Sequence, residues 1–499
     1  MGITRIVGEN SKMLTKYICF LDEEKYLTVQ LFEFLAHKEH GYASIDVLKE
    51  ELGLSQYQLN KLAENALTVG QQFDDVEIQY NKSKGIIATG VTTQILKRII
   101  SLMAQESLRL QIFVHDYLNY GGKSTADFVK KVGISRATFF RSKAALSKAL
   151  ETQLPVSIKN DEICLRFYIF DVLYYFSYTD YIDSPKVKSA VTDLLRDAIL
   201  IWKLSLSNTQ RKQLLYFISI VHLRTLSGNT LTDSNENNIM DTADDPRVKT
   251  FAEIIKKQYQ LPQKQALRDS RYFMTFLTTN DLLEEKNFLQ LKNLAEIKYL
   301  TQKQCVVLEE ELQINTTKPE YESFVTSLFK INAKTLSPSF FNNSFIDPKQ
   351  IFFFQESYPQ ADQIALSFVE LCAVKSGILL DQEELTQLYY SYLFNILNEI
   401  PINIFRDKVK IAIDFSQGAV YTKYIYNQVK QFDNLNIVIT NSLSNDCDIY
   451  LSNIYDPLIK KRQVIWENPP LAEDWAFLGD VIVDVKQKKY GKTRDEETK

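Results

Sequence analysis

The feature that most constrains the fold is a pattern that occurs twice, 80 residues apart. Residues 44–67 read SIDVLKEELGLSQYQLNKLAENAL and residues 124–150 read STADFVKKVGISRATFFRSKAALSKAL. Each stretch has apolar residues at helical spacing, then a turn glycine (Gly53 or Gly133), then a serine that can cap a second helix. The two stretches predict a duplicated helix–turn–helix.

Similar elements flank the two copies. A helix is predicted before each copy, over 24–36 and 105–117, and a strand hairpin after each. The hairpins are VEIQYNKSKGII from Val76 and VSIKNDEICL from Val156, the second with Asn160-Asp161 as its turn. A helix, a helix–turn–helix and a hairpin together form a winged helix. The sequence therefore predicts two winged helix–turn–helix domains, over 1–90 and 91–165.

The copies differ in charge. Between residues 120 and 150 there are seven bases and one acid, a balance of +6 in a chain of net charge −4. The bases are Lys123, Lys130, Lys131, Arg136, Arg141, Lys143 and Lys148, and the acid is Asp127. Residues 44–66 instead have a balance of −2, from Lys49 and Lys61 against Asp46, Glu50, Glu51 and Glu64. Because phosphate contacts dominate affinity for nucleic acid, the second copy is predicted to be the main DNA reader. The alternative to a DNA-binding surface is a solvated helix pair that is rich in lysine for solubility.

This interpretation predicts which side chains contact DNA. The residues expected at the major groove or its phosphates are Ser135, Arg136, Thr138, Arg141 and Lys143, flanked by Lys130, Lys131 and Lys148. The first copy is expected either to contact DNA weakly or only to pack against its neighbour. Its candidate contacts are Gln56, Gln58, Asn60 and Lys61. Affinity should fall steeply with salt.

The rest of the chain predicts helical bundles and a small α/β domain. With only 15 Gly and 12 Pro in 499 residues, helix breakers are scarce and a mainly α multidomain protein is expected. Amphipathic segments divide into bundles over 166–285 and 286–402, with a polar, mobile loop over 227–246. After residue 401, the runs VKIAI, LNIVIT, DIYL and VIVDV alternate with a helical segment. They predict an α/β domain with a parallel sheet over 403–499.

Composition and motifs limit the function. Five scattered cysteines suit reduced thiols in a cytoplasm, and no membrane span or signal peptide is expected. HExxH, GxSxG, Walker and Rossmann patterns are absent from the sequence, so neither an enzyme nor a cofactor nor a metal site is predicted. His222, on an apolar helix, is either a packed core residue or a phosphoacceptor beside Arg224. His37, His40 and His115 are expected at exposed helix positions.

The order of these segments resembles the Mga/AtxA family of virulence gene regulators from Gram-positive bacteria. GISRATFFRSKAAL is similar to the family's second helix–turn–helix, and NDEICLRFYIFDVLYYF to its junction with the next bundle. FISIVHLRTLSGN is similar to a helix of its regulatory bundles. The resemblance implies two phosphotransferase-system regulation domains (PRDs) and a C-terminal domain like the EIIB component of that system, which supports homodimerisation. It also implies the system's phosphocarrier protein as a partner.

The match differs at two chemically important positions. The usual phosphorylatable His of a PRD corresponds to Phe217, with His222 as the nearest substitute, and no histidine follows residue 222. The nucleophilic Cys of EIIB corresponds to Phe415 in the loop DFSQGAV. The resemblance therefore implies an EIIB-like scaffold without its chemistry.

The function predicted from the sequence is a cytoplasmic DNA-binding transcriptional regulator, an activator of virulence or metabolic genes. It would bind double-stranded promoter DNA as a homodimer and would not bind a membrane. Two alternatives stay open. One is a phosphotransferase-linked signalling protein whose winged helices dock proteins. The other is a PRD-type RNA antiterminator, although such proteins begin with a small β domain and this N-terminus is helical.

Overall fold

The chain is mainly helical, with two small sheets. A computed structural model describes residues 17–38, 41–118, 124–153, 159–182, 185–283, 294–336, 351–376, 382–440 and 442–497. The contacts divide it into two compact units, whose described residues run over 17–283 and 294–497. None of the helices in these ranges combines the length and apolar content needed to cross a bilayer.

The first unit contains two short modules and a helical bundle. The first module comprises α1 (Glu23–Ala36), β1 (Tyr42–Ser44), α2 (Ile45–Leu52), α3 (Gln56–Gly70), β2 (Glu77–Asn81) and β3 (Gly85–Thr89). Next come α4 (Thr93–Glu106) and the second module, made of α5 (Leu108–Leu118), α6 (Thr125–Val132) and α7 (Arg136–Gln153). The bundle has α8 (Glu162–Tyr175), α9 (Pro185–Trp202), α10 (Asn208–Leu226), α11 (Pro246–Tyr259) and α12 (Gln263–Thr279).

The hairpin predicted after the first copy is confirmed. β2 pairs antiparallel with β3, from Glu77 opposite Thr89 to Asn81 opposite Gly85. The outer edge of β3 pairs with β1, which gives the order β1-β3-β2. Along β3, Ile86 and Ala88 are buried whereas Ile87 is exposed. This alternation is that of a sheet with one face on a core.

The hairpin predicted after the second copy is wrong where it can be compared. Residues 154–158 lie outside the described residues, but Glu162 begins α8 instead of continuing a strand. The Asp161 carboxylate, expected in a turn, caps this helix: it accepts hydrogen bonds from the backbone N–H groups of Ile163 (2.9 Å) and Cys164 (3.1 Å). All residues of α8 from Ile163 to Leu173 are buried, and helix packing rather than strand alternation decides the conformation.

The polar stretch 227–246, expected to be a mobile loop, is held by ion pairs. Its 3₁₀-helix Asp233–Asn238 lies against α12. Glu236 accepts from Arg268 Nε at 2.8 Å and from Arg271 Nη1 at 2.7 Å, and Asp233 also pairs with Arg268. Arg268 is only 5% exposed. The acidic side chains of the stretch therefore pair with a buried cation, and their polarity is not explained by contact with solvent alone.

The described residues of the second unit form a group of helices and an α/β domain. Its helices are α13 (Leu294–Leu312), α14 (Glu322–Thr335), α15 (Ile351–Ser357), α16 (Pro359–Ser376) and α17 (Gln382–Glu399). The α/β part comprises β4 (Val409–Ile413), α18 (Ala419–Val429), β5 (Ile437–Thr440), β6 (Ile449–Ser452), β7 (Arg462–Ile465) and α19 (Ala472–Glu497).

The predicted parallel sheet is confirmed, although one of its strands is misassigned. The order is β5-β4-β6-β7, and all three pairings are parallel. VIVDV, predicted as a strand, lies within α19, where Val481 and Ile482 are buried against the sheet. The fourth strand is instead β7, whose polar sequence RQVI has only Val464 fully buried.

A buried ion pair fixes α19 within the second unit. Lys486 Nζ lies 3.1 Å from Asp407 Oδ2 and donates to the backbone oxygen of Ser357 at 2.7 Å. Lys486 is 0% and Asp407 2% exposed. Asn436 donates to the other Asp407 oxygen at 2.7 Å. The contact joins the last helix to both the α/β domain and the helices before it.

We expect Asp161→Ala to lower the free energy of unfolding of the first unit by about 1 kcal/mol or more, because α8 loses its N-cap. Asn160→Ala, at the exposed neighbouring position, is the matched control and should change stability little. Urea unfolding followed by circular dichroism measures both. Equal stability of the two variants would contradict the cap.

We expect Lys486→Met to destabilise the second unit by about 3–5 kcal/mol, since it leaves the Asp407 carboxylate buried without its cation. The matched control is Lys488→Met, which breaks an exposed pair with Asp484 two residues along the same helix. That control should cost about 0–1 kcal/mol. Similar losses in the two variants, measured by urea unfolding, would show that the buried pair does not stabilise the unit.

Candidate nucleic-acid interface

The two helix–turn–helix segments share one backbone geometry. Gly53 (φ 64°, ψ 32°) and Gly133 (φ 75°, ψ 31°) are both left-handed. Their N–H groups donate to Lys49 O and Val129 O, which also accept from Leu54 N and Ile134 N. An added Cβ would meet no atom within 4 Å at either glycine. The positive φ alone therefore explains glycine at both turns.

The second helix of the second module, α7, is set by a cap and an apolar stripe. Ser135 Oγ accepts from Thr138 N at 3.1 Å and lies 2.9 Å from Thr138 Oγ1. Phe139, Leu146 and Leu150, predicted to face inward, are at most 4% exposed. Since the stripe fixes the rotation of α7, it also determines which side chains face solvent.

Most of the predicted basic side chains on this module face outward. Five are exposed: Lys130, Lys131, Arg136, Arg141 and Lys148. Within the described part of the chain, none of the five forms an ion pair with a carboxylate. Lys123 lies outside the described residues. The exposed side of α7 thus presents cations whose charge the protein does not neutralise locally.

Lys143 differs from its prediction. Its Nζ lies 2.8 Å from Asp116 Oδ2 on α5, and it also lies over the Phe139 ring. Lys143 falls on the inward side of α7, close in rotation to Phe139 and Leu146, so it joins α7 to α5 rather than facing a groove. His115, expected to be exposed, is partly buried: its ring centroid lies 4.7 Å from that of Phe128.

Sequence reasoning missed three exposed side chains that bear on binding. Phe140, on the outward side of α7, is 58% exposed. Lys82 and Lys84 are exposed at the tip of the β2–β3 hairpin, where Asn81 Oδ1 accepts from the N–H groups of Ser83 and Lys84. The signal for these lysines was present in the turn sequence NKSKG, because a hairpin tip faces solvent.

The polar side chains of the first module that were candidates for DNA contact form hydrogen bonds or an ion pair with other residues of the protein. Gln58 completes a capping box with Ser55. Asn60 accepts hydrogen bonds from Gln56 Nε2 (3.0 Å) and from the Tyr80 hydroxyl. Lys61 pairs with Glu24 at 3.4 Å. These contacts favour packing over DNA contact, which the sequence left open.

A partly buried carboxylate connects the bundle to the second module. Glu162 Oε1 accepts from Arg166 Nε (2.8 Å) and Arg224 Nε (2.9 Å), and Glu162 Oε2 accepts from Arg224 Nη2 (2.5 Å). Arg224 Nη1 donates to the backbone oxygen of Tyr117 at 2.9 Å. Tyr117 follows Asp116 on α5, so one turn of α5 contacts the bundle and also holds Lys143.

His222 is a packed core residue. Its side chain is 4% exposed, and Nδ1 lies 2.8 Å from the Tyr259 hydroxyl. Burial lowers the pKa of His222 to about 4, so the imidazole is neutral at pH 7. Arg224, which would pair with the phosphate in the phosphoacceptor alternative, forms an ion pair with Glu162 instead. Phosphoryl transfer to His222 would therefore require its buried ring to become exposed.

The loop DFSQGAV lies between β4 and α18, as expected. Phe415 is 2% exposed and packs against Tyr421 and Trp466, with ring centroids 5.4 and 6.3 Å away. The loop borders a cleft of about 550 Å³ whose lining includes Asp414 and Lys423. Cys447 is buried, which raises the pKa of its thiol and suits a structural role.

The chain matches no known protein-family model, and the curated proteins contain no significant match to it.

We expect the free energy of unfolding to fall as the pH drops from 6.5 towards 4, in part because of His222. In this window the unfolded chain binds a proton that the folded imidazole excludes. His222→Gln should therefore lose less thermal stability than the wild type between pH 7 and pH 5. His37→Gln, at an exposed position, is the control for the loss of a histidine. Identical pH profiles for His222→Gln and the wild type would contradict the burial of a neutral imidazole.

Proposed function

We propose that this protein is a DNA-binding transcriptional regulator whose main reader is α7. The observation that carries the proposal is the outward set of unpaired cations on and beside this helix. Non-specific attraction to the phosphate backbone needs such a set, and a capped helix after a short turn is the element that enters a major groove. Arg136 and Arg141 are long enough to donate two hydrogen bonds to a guanine edge.

The shape of α7 suits close approach to a duplex. Arg141 and Lys148 lie on the side opposite the buried stripe, together with Ala137, Ala144 and Ala145. Small alanines let the helix backbone approach the base edges, while the flanking cations reach the phosphates. The hydroxyl groups of Ser135 and Thr138 lie at the N-terminus of the helix, where donors to phosphate are common.

The finer domain assignment belongs to the same proposal. We assign residues 1–90 to a winged helix–turn–helix and the second module to a helix–turn–helix for which the described residues supply no wing. The bundles over 166–285 and 286–402 are assigned as PRD-like and residues 403–499 as EIIB-like. The parallel sheet with a loop between β4 and α18 supports the last assignment, and the ordered set supports membership of the Mga/AtxA family.

A homodimer through the C-terminal domain is part of the proposal. Apolar side chains are strongly exposed on this domain, including Val420 (87%), Leu458 (85%), Tyr455 (66%) and Leu471 (60%). These side chains are our candidates for the dimer contact, since contiguous exposed apolar patches mark protein-binding sites. Burial of His222 argues against its phosphorylation by the phosphocarrier protein, so regulation by that partner has no support from this residue.

We expect Arg136→Ala combined with Arg141→Ala to weaken binding to promoter DNA by at least about a hundredfold, as two base-reading contacts are lost. A mobility-shift assay on the DNA upstream of the protein's own coding region measures this at low and moderate salt. Wild-type binding should decline steeply with salt, and the double variant should show a shallower slope.

The matched control is Lys186→Ala combined with Lys188→Ala. These lysines are exposed on α9 and removing them takes away the same net charge. Circular dichroism should show that both double variants fold. Equal DNA affinity of the two variants would refute α7 as the reader. Binding to single-stranded or structured RNA in preference to duplex DNA would favour the antiterminator alternative.

A further inference from the structure

The duplicated modules allow a position-by-position comparison of their surfaces. Because both turns have the same hydrogen bonds, residues 80 apart occupy equivalent places on the scaffold. Glu50 and Glu51 stand where the second module has Lys130 and Lys131. All four side chains are exposed. The same scaffold therefore presents opposite charges at the same place.

The first module has an acidic face, which comprises Asp46, Val47, Glu50, Glu51 and Tyr57. The first four lie on one side of α2, opposite the buried Ile45 and Leu48, and Tyr57 is on the first turn of α3. Val47 is 38% and Tyr57 79% exposed. No ion pair engages Asp46, Glu50 or Glu51 within the ranges that the structure describes. This face would repel a phosphate backbone.

The second module has the complementary basic face, which comprises Lys130, Lys131, Arg136, Phe140, Arg141 and Lys148. It matches the acidic face in three respects. Two adjacent lysines near the end of α6 occupy the positions that two adjacent glutamates hold near the end of α2. Each module also exposes an aromatic side chain, and over the described ranges no ion pair engages the charged groups of either face. Such complementarity guides and fixes protein–protein contacts.

We propose that the acidic face of one copy of this chain binds the basic face of a second copy. Within the described residues no ion pair joins the two faces, and the proposed contact is between two copies. It is a head-to-tail contact, since different surfaces of the two copies meet. The proposal rests on the proposed function in one respect: DNA and the acidic face compete for the same cations. In the absence of DNA, α7 would then be bound by the acidic face of a second copy. Promoter DNA would displace that copy.

Charge reversal tests the contact directly. Glu50→Lys with Glu51→Lys changes the charge of the acidic face from −3 to +1, whereas Lys130→Glu with Lys131→Glu lowers that of the basic face from +5 to +1. Each variant alone should show self-association through these faces weakened by about tenfold or more, because the attraction between the faces is reversed or largely lost. Mixing the two variants brings the unaltered basic face of the first against the unaltered acidic face of the second, and association should return. Sedimentation of the full chain at low salt, with a fluorescent label on one variant, measures this.

Controls separate this contact from the C-terminal dimer and from folding defects. Glu310→Lys with Glu311→Lys reverses two adjacent exposed carboxylates near the end of α13 and should leave association unchanged. The neutral pair Lys130→Gln with Lys131→Gln should weaken association less than the charge reversal. Unfolding curves of all variants establish that they fold, and moderate salt should weaken the wild-type contact.

The outcomes are distinct. Rescue on mixing, together with dissociation of the wild-type assembly by duplex DNA, supports the proposal. Association unchanged by either charge reversal overturns it. A rise in DNA affinity and salt slope for Glu50→Lys with Glu51→Lys, without a change in association, also overturns it and places the first module beside DNA. Rescue without any DNA binding by the wild type would keep the contact and refute the proposed function.

Discussion

The rest of the first unit depends on the carboxylate of Glu162. It accepts three hydrogen bonds of 2.5–2.9 Å from two arginines, Arg166 and Arg224, that are buried almost completely. Without this anion, the Arg224 guanidinium would lose a carboxylate partner in a medium of low polarity, at a cost of several kcal/mol. Because Arg224 also donates to Tyr117 on α5, one charged group fixes three helices relative to one another.

The same turn of α5 serves the candidate interface. Asp116 binds Lys143 of α7, and its neighbour Tyr117 accepts the hydrogen bond from the bundle. A change in the bundle that displaced Arg224 would therefore act on the helix that holds α7. In the second unit, Lys486 and Asp407 play a similar part, since their buried pair joins elements that are distant in sequence. Both units thus place their buried charges where segments meet.

Sequence signals that act over a few residues made the helix–turn–helix segments predictable. Gly53, Gly133 and the cap serines act within a few residues of themselves, and so does the alternation along β3. The misassignments have tertiary causes. Asp161 looks like a turn residue, but α8 can form because all its faces are buried in the bundle. VIVDV has strand composition, yet it packs as one side of α19. Similarly, Lys143 forms an ion pair with Asp116 and Lys61 with Glu24. Because these partners are distant in sequence, local patterns could not predict the pairs.

The shared turn geometry has an evolutionary consequence. A left-handed glycine, a serine oxygen and a few apolar contacts hold the two helices in each module, and none of them involves the charged side chains that differ between the modules. Substitutions at those charged positions can therefore leave the scaffold intact, so a duplicated gene segment can change its charge without first losing its fold. Two descendants of one ancestral module can in this way acquire separate tasks inside a single polypeptide.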